Sequence, residues 1–356
     1  MTRPQAYKAV FVALLGITLG CGDASGAAVW EGEPAETTAK VVGGWAATSD
    51  QIFATVEIRH TGASSGFCSG TLISPQLVVT AAHCSVVELE EGGFRPASPG
   101  ALQVVGGHLN SRAALPSMMR SVFEVRVHED YNHEFVMGRS RDGAGQGGIG
   151  SPNDIALLFL AAPFEDLPNA PMLTEERELE LVHHGDVAFV AGYGVYDLDN
   201  ELMGELYISD AIIDILGPQE LLTRRSDQLG DSCYGDSGGP LYVPTEEGNF
   251  LVGSVSRGRS DVKRDCGDGG VYTLLSAYHP WILENAGTWF DPKAEAGVED
   301  VSFLAEGADP VSVPKGGALQ RVGSCAASRT GSERSTFWAL VFLLGFVSWQ
   351  RRLSRR

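Results

Sequence analysis

Short apolar runs alternate with turns through the middle of this sequence, and their spacing restricts the fold more than any other property of the chain. The runs are four to seven residues long, and 44 glycines and 17 prolines are available for the turns. Many short strands with such turns are typical of a β-sandwich or β-barrel, so we expect an all-β fold. The predicted strands are Ile52–Ile58, Gly70–Ser74, Leu77–Thr80, Ala101–Val105, Ile155–Leu160, Val187–Val190 and Phe250–Val255.

Composition excludes several classes of protein. The 26 Lys and Arg residues stand against 45 Asp and Glu, and a formal charge of −19 repels phosphate backbones, so no nucleic-acid partner is expected. A hydrophobic content of 44% argues against a disordered chain. The six cysteines include no Cys-x-x-Cys pair, so no zinc ribbon is expected, and no metal or cofactor is predicted. We interpret Glu88, Glu90 and Glu91 as a solvated loop rather than a calcium site.

The first 40 residues are predicted to carry a targeting signal. A charged start precedes an apolar run of eleven residues, Ala9–Leu19, which is too short to span a bilayer and is typical of a secretory signal peptide. We therefore assign residues 1–20 to a signal peptide and the small, polar residues 21–40 to a propeptide. Gly20-Cys21 resembles a lipoprotein cleavage site, with ordinary cleavage near Ala27 as the alternative, and the sequence leaves both open.

The C-terminal residues indicate a tether. Residues 287–335 are rich in Gly, Pro and acidic residues, and we assign them to a linker or stalk. Residues 336–356 contain the apolar run Phe337–Trp349 followed by four arginines. Positive charges stay cytoplasmic, so the preceding chain would lie outside the cytoplasm. The arrangement resembles the C-terminal sorting tails of bacterial surface proteins and predicts a secreted or cell-surface anchored protein; a terminal core helix is the less favoured alternative.

Three segments supply the groups needed to hydrolyse an amide: a nucleophile, a base, a group that orients the base, and donors for the oxyanion. The segment Thr-Ala-Ala-His-Cys places His83 just after the end of a predicted strand, and Asp154 directly precedes another predicted strand. Gly-Asp-Ser-Gly-Gly-Pro presents Ser237 among glycines, whose backbone N–H groups are open to a ligand. Taken alone, His83 is ordinarily interpreted as a core histidine, Asp154 as a turn carboxylate and Ser237 as a loop serine. All three motifs occurring together in this order favour a catalytic site.

These motifs and their order resemble the chymotrypsin/trypsin family of serine proteases, over residues 41–286. The resemblance implies two antiparallel six-stranded β-barrels with a C-terminal helix, for which Ser276–Asn285 is the best candidate. It implies that Ser237 attacks the scissile carbonyl, that His83 carries its proton and that Asp154 orients the imidazole.

The resemblance also implies further site residues. The backbone N–H groups of Gly235 and Ser237 would form the oxyanion hole, and Ser256 would hydrogen-bond the triad carboxylate. Asp231 matches the floor of the primary pocket, with Gly258 and Gly270 as walls. Protein or peptide substrates with Arg or Lys at the cut site are therefore the expected partners, because a buried carboxylate without a cation is costly.

One residue departs from the family pattern. Arg257 stands where the family usually has tryptophan, next to the substrate backbone, and a cation there would favour acidic or small residues upstream of the cut. An active protease with a non-tryptic preference, set by Arg257 or Tyr234, is thus one alternative function. A protease-like surface module without activity, or a structural surface protein, is another.

Activation is implied at Lys40-Val41. Cleavage after Lys40 would free the Val41 amine to pair with Asp236 and order the oxyanion loop, so the protein is expected to be a zymogen. It is also expected to be a monomer. The resemblance further implies two disulfides, Cys68–Cys84 and Cys233–Cys266. Cys21 and Cys325 are left without an assigned partner.

Overall fold

A computed structural model of the chain describes residues 44–138, 148–224, 230–259 and 266–290. The predicted signal peptide and propeptide, with Lys40 and Val41, lie outside the described residues. So do Cys21, Cys325 and the predicted linker and tail beyond residue 290.

Strands dominate the described residues. In chain order they are β1 (Trp45–Ala46), β2 (Thr55–His60), β3 (Cys68–Ser74), β4 (Leu77–Thr80), β5 (Val86–Glu88), β6 (Phe94–Pro96), β7 (Leu102–Gly106), β8 (Met119–Val127), β9 (Ala156–Leu160), β10 (Val187–Gly192), β11 (Val195–Asp197), β12 (Leu202–Met203), β13 (Tyr207–Leu216), β14 (Glu220–Arg224), β15 (Pro240–Thr245), β16 (Gly248–Gly258) and β17 (Gly270–Leu274).

Helices are short. The α-helices described are α1 (His133–Val136), α2 (Glu175–Leu181) and α3 (His279–Ala286). Single 3₁₀ turns occupy Ser49–Gln51, Ala82–Ser85, Pro99–Ala101, Ser111–Ala113, Pro116–Met118, Leu275–Tyr278 and Gly287–Trp289.

The N-terminal half forms a closed barrel with strand order β2-β3-β4-β9-β8-β7, and every neighbouring pair is antiparallel. Strands β3, β4 and β9 are buried along their whole length, and for β4 and β9 this burial explains the nearly continuous apolar runs in the sequence. Val56, Leu72 and Leu158 are completely buried in its interior. Closure leaves no strand edge unpaired within the barrel.

The C-terminal half forms a second barrel. Its strand order is β13-β10-β15-β16-β17-β14, and the pairing of β13 with β14 closes it, while β1 adds to the side of β13. Val190, Ile213, Leu241 and Tyr272 are buried in its core. The prediction of an all-β fold with two antiparallel six-stranded barrels and a C-terminal helix is confirmed.

All seven predicted strands correspond to observed ones, with shifted ends. The first begins at Thr55 rather than Ile52, because Phe53 has a φ of +50°, which no extended strand tolerates. The predicted helix Ser276–Asn285 is observed as a 3₁₀ turn followed by α3. Pro280 lies in the first turn of α3, where its missing N–H costs no hydrogen bond.

Candidate active site

His83 and Asp154 meet at two points. His83 lies in the 3₁₀ turn that follows β4, and Asp154 precedes β9, the strand paired with β4 in the barrel. The Nδ1 atom of His83 is 2.9 Å from Oδ2 of Asp154, and the backbone N–H of His83 donates to Oδ1 at 3.0 Å. Both the imidazole ring and the carboxylate plane are fixed by this double contact, because neither rotates without breaking one bond.

Asp154 remains an anion although it is only 1% exposed. Ser256, on β16, donates its hydroxyl to Oδ2 at 2.6 Å. Burial alone would raise the pKa of this carboxyl, but the charge of His83 and the hydrogen bonds from His83 and Ser256 hold the pKa below its ordinary value. The predicted contact between Ser256 and Asp154 is therefore present in the structure.

Asn153 sets the direction in which Asp154 points. Its φ is +53°, a left-handed conformation that asparagine tolerates better than most residues. Its Nδ2 donates to the carbonyl of Asp130 at 2.9 Å, and its Oδ1 accepts from the hydroxyl of Tyr278 at 3.0 Å. No role was predicted for Asn153, because nothing in the sequence other than the residue type indicates its positive φ.

The structure places the backbone of Ser237 beside His83. The carbonyl of Ser237 accepts from the N–H of Ser69 at 2.8 Å and lies 3.5 Å from Sγ of Cys84, the residue after His83. A ring nitrogen of His83 lies within 4.8 Å of that sulfur. Among the hydrogen bonds of the described residues, none joins Oγ of Ser237 to His83.

The cluster of Cys68, His83 and Cys84 has the residue types of a metal site but not its chemistry. Among the described residues, Cys68 and Cys84 form one disulfide and Cys233 and Cys266 form a second. A sulfur bonded to another sulfur is not a thiolate, which is the form that binds zinc. The disulfide instead ties the turn that carries His83 to the start of β3.

Glycines shape the loop around Ser237. Gly235 has a φ of +93° and Gly238 a φ of +79°, values that side chains with a Cβ rarely adopt. A Cβ at Gly238 would also overlap the hydroxyl of Thr80. A Cβ at Gly235 would lie 2.9 Å from Cα of Gly194, so glycine at both positions lets this loop approach its neighbours closely.

Asp236 is buried beneath this loop. Its carboxylate accepts the backbone N–H groups of Gly194 and Cys233, each at 2.8 Å. Burial raises the pKa of Asp236 to about 7, the two N–H donors oppose the shift, and the nearby Asp231 charge adds to it. None of the described residues supplies a cation to Asp236, and its predicted partner Val41 lies outside them.

Asp231 is a third buried carboxylate of this region, and Gly270 lies beside it. Asp231 is completely buried and accepts the N–H of Ser232 at 2.6 Å and its hydroxyl at 3.1 Å. It also accepts the hydroxyls of Thr223 and Tyr272. Burial raises the pKa of Asp231, and these four bonds oppose the shift.

The walls predicted for this pocket lie on adjacent strands. Gly258, at the end of β16, is paired with Gly270 at the start of β17. A Cβ at Gly270 would lie 3.2 Å from Oδ1 of Asp231, so a side chain there would cover the carboxylate. Thr223 and Tyr272 were missed in the sequence, since a hydroxyl on a β-strand carries no pattern that identifies its partner.

The family model for trypsin matches residues 41–282 of this chain. The chain belongs to the trypsin family. Among curated relatives, the vitellin-degrading protease of Bombyx mori is 28% identical over 65% of this chain and 79% of its own length. Trypsin zeta of Drosophila melanogaster is 27% identical over 68% of this chain and 84% of its own length. Hypodermin-B of Hypoderma lineatum is 28% identical over 73% of this chain and 93% of its own length.

One residue of this trypsin-family chain is arranged differently from our expectation. Arg257 was predicted to present its positive charge to the substrate. In the structure, Nη1 of Arg257 lies 2.6 Å from a carboxylate oxygen of Glu220, and the two side chains are 8% and 1% exposed. The positive charge is neutralised inside the protein.

No helix among the described residues is both long enough and apolar enough to cross a membrane. The predicted C-terminal tail lies outside those residues.

The raised pKa of Asp236 predicts a pH-dependent stability, to be measured in the full-length chain with Lys40→Gln, which removes the predicted cleavage site. The folded state retains a proton that the unfolded chain releases at its ordinary pKa of 3.8, so this contribution to stability is complete below pH 4 and lost as the pH rises through about 7. The loss is on the order of 4 kcal/mol. Denaturant unfolding at a series of pH values measures it.

The matched variant adds Asp236→Asn to Lys40→Gln. Its free energy of unfolding should decline less between pH 4 and 7, because the amide does not ionise. Parallel stability curves for the two proteins would show that Asp236 does not titrate with a raised pKa.

Proposed function

We propose that this protein is a secreted serine endopeptidase that cuts peptide bonds after Arg or Lys. The observation that carries the proposal is the double contact between His83 and the buried, ionised Asp154, in a trypsin-family chain that keeps Ser237 in its glycine-rich loop. No metal or cofactor is needed for this chemistry.

The triad would work as a proton relay around the substrate carbonyl. Ser237 Oγ attacks the carbonyl carbon while His83 takes the hydroxyl proton, and His83 then donates that proton to the leaving amine. Asp154, kept ionised by its lowered pKa, holds the imidazole with Nδ1 protonated and stabilises the imidazolium. The N–H groups of Gly235 and Ser237 stabilise the oxyanion, at about 3 kcal/mol for each donor.

The preference for Arg and Lys follows from the cost of burying Asp231 without a cation. Its four hydrogen bonds position the carboxylate, but none of them brings a positive charge. A substrate guanidinium or ammonium supplies that charge, whereas a neutral side chain leaves the ionised carboxylate uncompensated or forces it to take a proton.

Activation would follow from cleavage after Lys40. In this proposal the new Val41 amine pairs with Asp236. It supplies the positive charge that none of the described residues provides beneath the oxyanion loop. Residues 1–20 would direct export, 21–40 would form the propeptide, and residues 336–356 would attach the monomeric protein to the cell surface by way of a stalk, 287–335.

Covalent labelling tests this function. A fluorescent organophosphonate is expected to label the protein after cleavage at Lys40, with the adduct mapped to Ser237 by mass spectrometry. Ser237→Ala should abolish the label, while Ser121→Ala, which removes an exposed hydroxyl on β8 away from the site, should keep it. Failure of the cleaved wild-type protein to react would favour a protease-like module without activity.

A further inference from the structure

Arg257 contacts the hydroxyl that supports the triad carboxylate. Ser256 donates to Oδ2 of Asp154 at 2.6 Å, and Nη1 of Arg257 donates to the same hydroxyl oxygen at 3.2 Å. Oδ2 is also the oxygen that faces Nδ1 of His83. Three successive contacts therefore lead from the guanidinium to the imidazole. The family resemblance implies the last two of these contacts but not the first.

The contact from Arg257 fixes the direction of the Ser256 hydroxyl. A hydroxyl has a single proton to donate and lone pairs with which to accept. Because the guanidinium binds a lone pair of the oxygen, the proton is directed toward Asp154. A hydroxyl that accepts a hydrogen bond from a cation also donates more strongly to an anion. Arg257 therefore strengthens the support of the carboxylate without touching it.

Glu220 balances the charge that this contact brings. Nη1 and Nη2 of Arg257 lie 2.6 Å and 2.9 Å from the two carboxylate oxygens of Glu220. Nη2 also donates to the carbonyl of Gly148 at 2.8 Å, and the N–H of Gly150 donates to Glu220 at 2.7 Å. Both charged groups are thus fixed in place and have no net charge together.

Burial makes this balance necessary. Both side chains are almost completely buried, and the ring of Phe135 lies 5.1 Å from the guanidinium carbon. Charges in such surroundings are weakly screened. A cation without Glu220 would oppose the attraction of Asp154 for the protonated imidazole, whereas the neutral pair does not.

Tyr278 shows that both carboxylates act on one place. Its hydroxyl donates to Oδ1 of Asn153, the residue before Asp154. Burial raises the pKa of Tyr278, and the negative charges of Glu220 and Asp154 add to the rise. Behind Tyr278, His128 packs edge-on at 5.5 Å, and burial lowers the pKa of this histidine, so it is neutral at pH 7. The field of Glu220 therefore reaches the neighbourhood of the triad.

We infer that Arg257 is a positioning residue of the triad. It holds the hydroxyl of Ser256 toward Asp154, and Glu220 balances its charge so that the carboxylate of Asp154 keeps its full effect on His83. This inference rests on the proposed protease function.

The first test is the acid limb of the pH profile of kcat/KM, which follows protonation of the catalytic base in the free enzyme. The substrate is an arginine ester without residues before the cut, so that no upstream contact contributes. Glu220→Gln leaves the Arg257 cation unbalanced and should move the limb to lower pH by about one unit, because the imidazolium becomes less favourable. Glu220→Gln combined with Arg257→Gln should return the limb to the wild-type position.

A second ion pair of the same kind provides the matched control. Nη2 of Arg177, on α2, lies 2.7 Å and 2.6 Å from the two carboxylate oxygens of Glu247. Glu247 precedes β16, whereas Arg257 is near the other end of that strand. Glu247→Gln should therefore leave the acid limb in place.

The second test asks whether Arg257 acts through Ser256. Arg257→Met combined with Glu220→Met removes the whole pair and leaves no buried charge unpaired, so this protein is expected to fold. It should lower kcat for the ester by about tenfold when Ser256 is present. In a Ser256→Ala protein the same two changes should lower kcat by no more than about twofold, because the hydroxyl that they act through is already absent.

Three results would overturn the inference. These are an acid limb that Glu220→Gln leaves in place or moves to higher pH, a limb that the double Gln variant does not restore, and losses that simply multiply in the cycle with Ser256→Ala. If Glu220→Gln alone does not fold, the cycle with Ser256→Ala decides. Wild-type protein, cleaved at Lys40, that hydrolyses the ester but gives one of these results would disprove only the role of Arg257. If the wild type does not hydrolyse the ester, the proposed protease function itself fails.

Discussion

Asp154→Asn is expected to lower kcat/KM for an Arg peptide by about four orders of magnitude, the loss typical of a serine protease triad when its acid becomes an amide. The carboxylate accepts from both Nδ1 and the backbone N–H of His83, and from the hydroxyl of Ser256. An amide offers only one acceptor oxygen. When the NH₂ group of the substituted side chain faces the ring, it donates to Nδ1 and favours the tautomer in which Nε2 carries the proton. In that tautomer Nε2 has no lone pair with which to accept the proton of Ser237.

Steady-state kinetics on the cleaved protein measures this effect. Asp166→Asn changes an exposed aspartate outside the site and should leave kcat/KM unaltered. The thermal unfolding midpoint of each variant identifies any loss that arises from unfolding rather than from the altered tautomer. A folded Asp154→Asn protein that keeps more than a tenth of the wild-type rate would mean that the carboxylate only braces the turn after β4.

Local sequence was sufficient to predict the parts of the site that lie within one motif. His83 follows a buried strand, Asp154 precedes one, and the glycines around Ser237 belong to the same six residues. The buried strands were also predictable, because burial on both faces gives a continuous apolar run. Long strands such as β8 and β13 were missed, since they mix charged and apolar residues.

The partners of the predicted residues were not predictable, because they come from other strands. Thr223 and Tyr272 reach Asp231 across 8 and 41 residues. Glu220 neutralises Arg257 across 37 residues, and nothing near either residue in the sequence indicates that the other is its partner. A sequence gives the charge of a side chain, but the barrel register decides whether that charge meets substrate or another residue of the protein.

Asp231→Asn is expected to lower kcat/KM for Arg and Lys peptides by about four orders of magnitude, while a matched Leu peptide changes less than tenfold. The amide keeps the size of the side chain and one acceptor for Thr223 or Tyr272, so the pocket keeps its shape. The buried negative charge is lost, and with it the reason to prefer a cation over a neutral side chain.

Benzamidine binding gives a second measurement that does not depend on catalysis. Its Kd should weaken by about three orders of magnitude in Asp231→Asn, because the amidinium loses its counter-charge. Asp199→Asn, an exposed change on the hairpin between β11 and β12, should bind like the wild type. If Arg peptides and benzamidine are still preferred by Asp231→Asn, the cation is recognised by the hydroxyls and carbonyls around the pocket, and the buried carboxylate serves only to hold Thr223, Ser232 and Tyr272 in place.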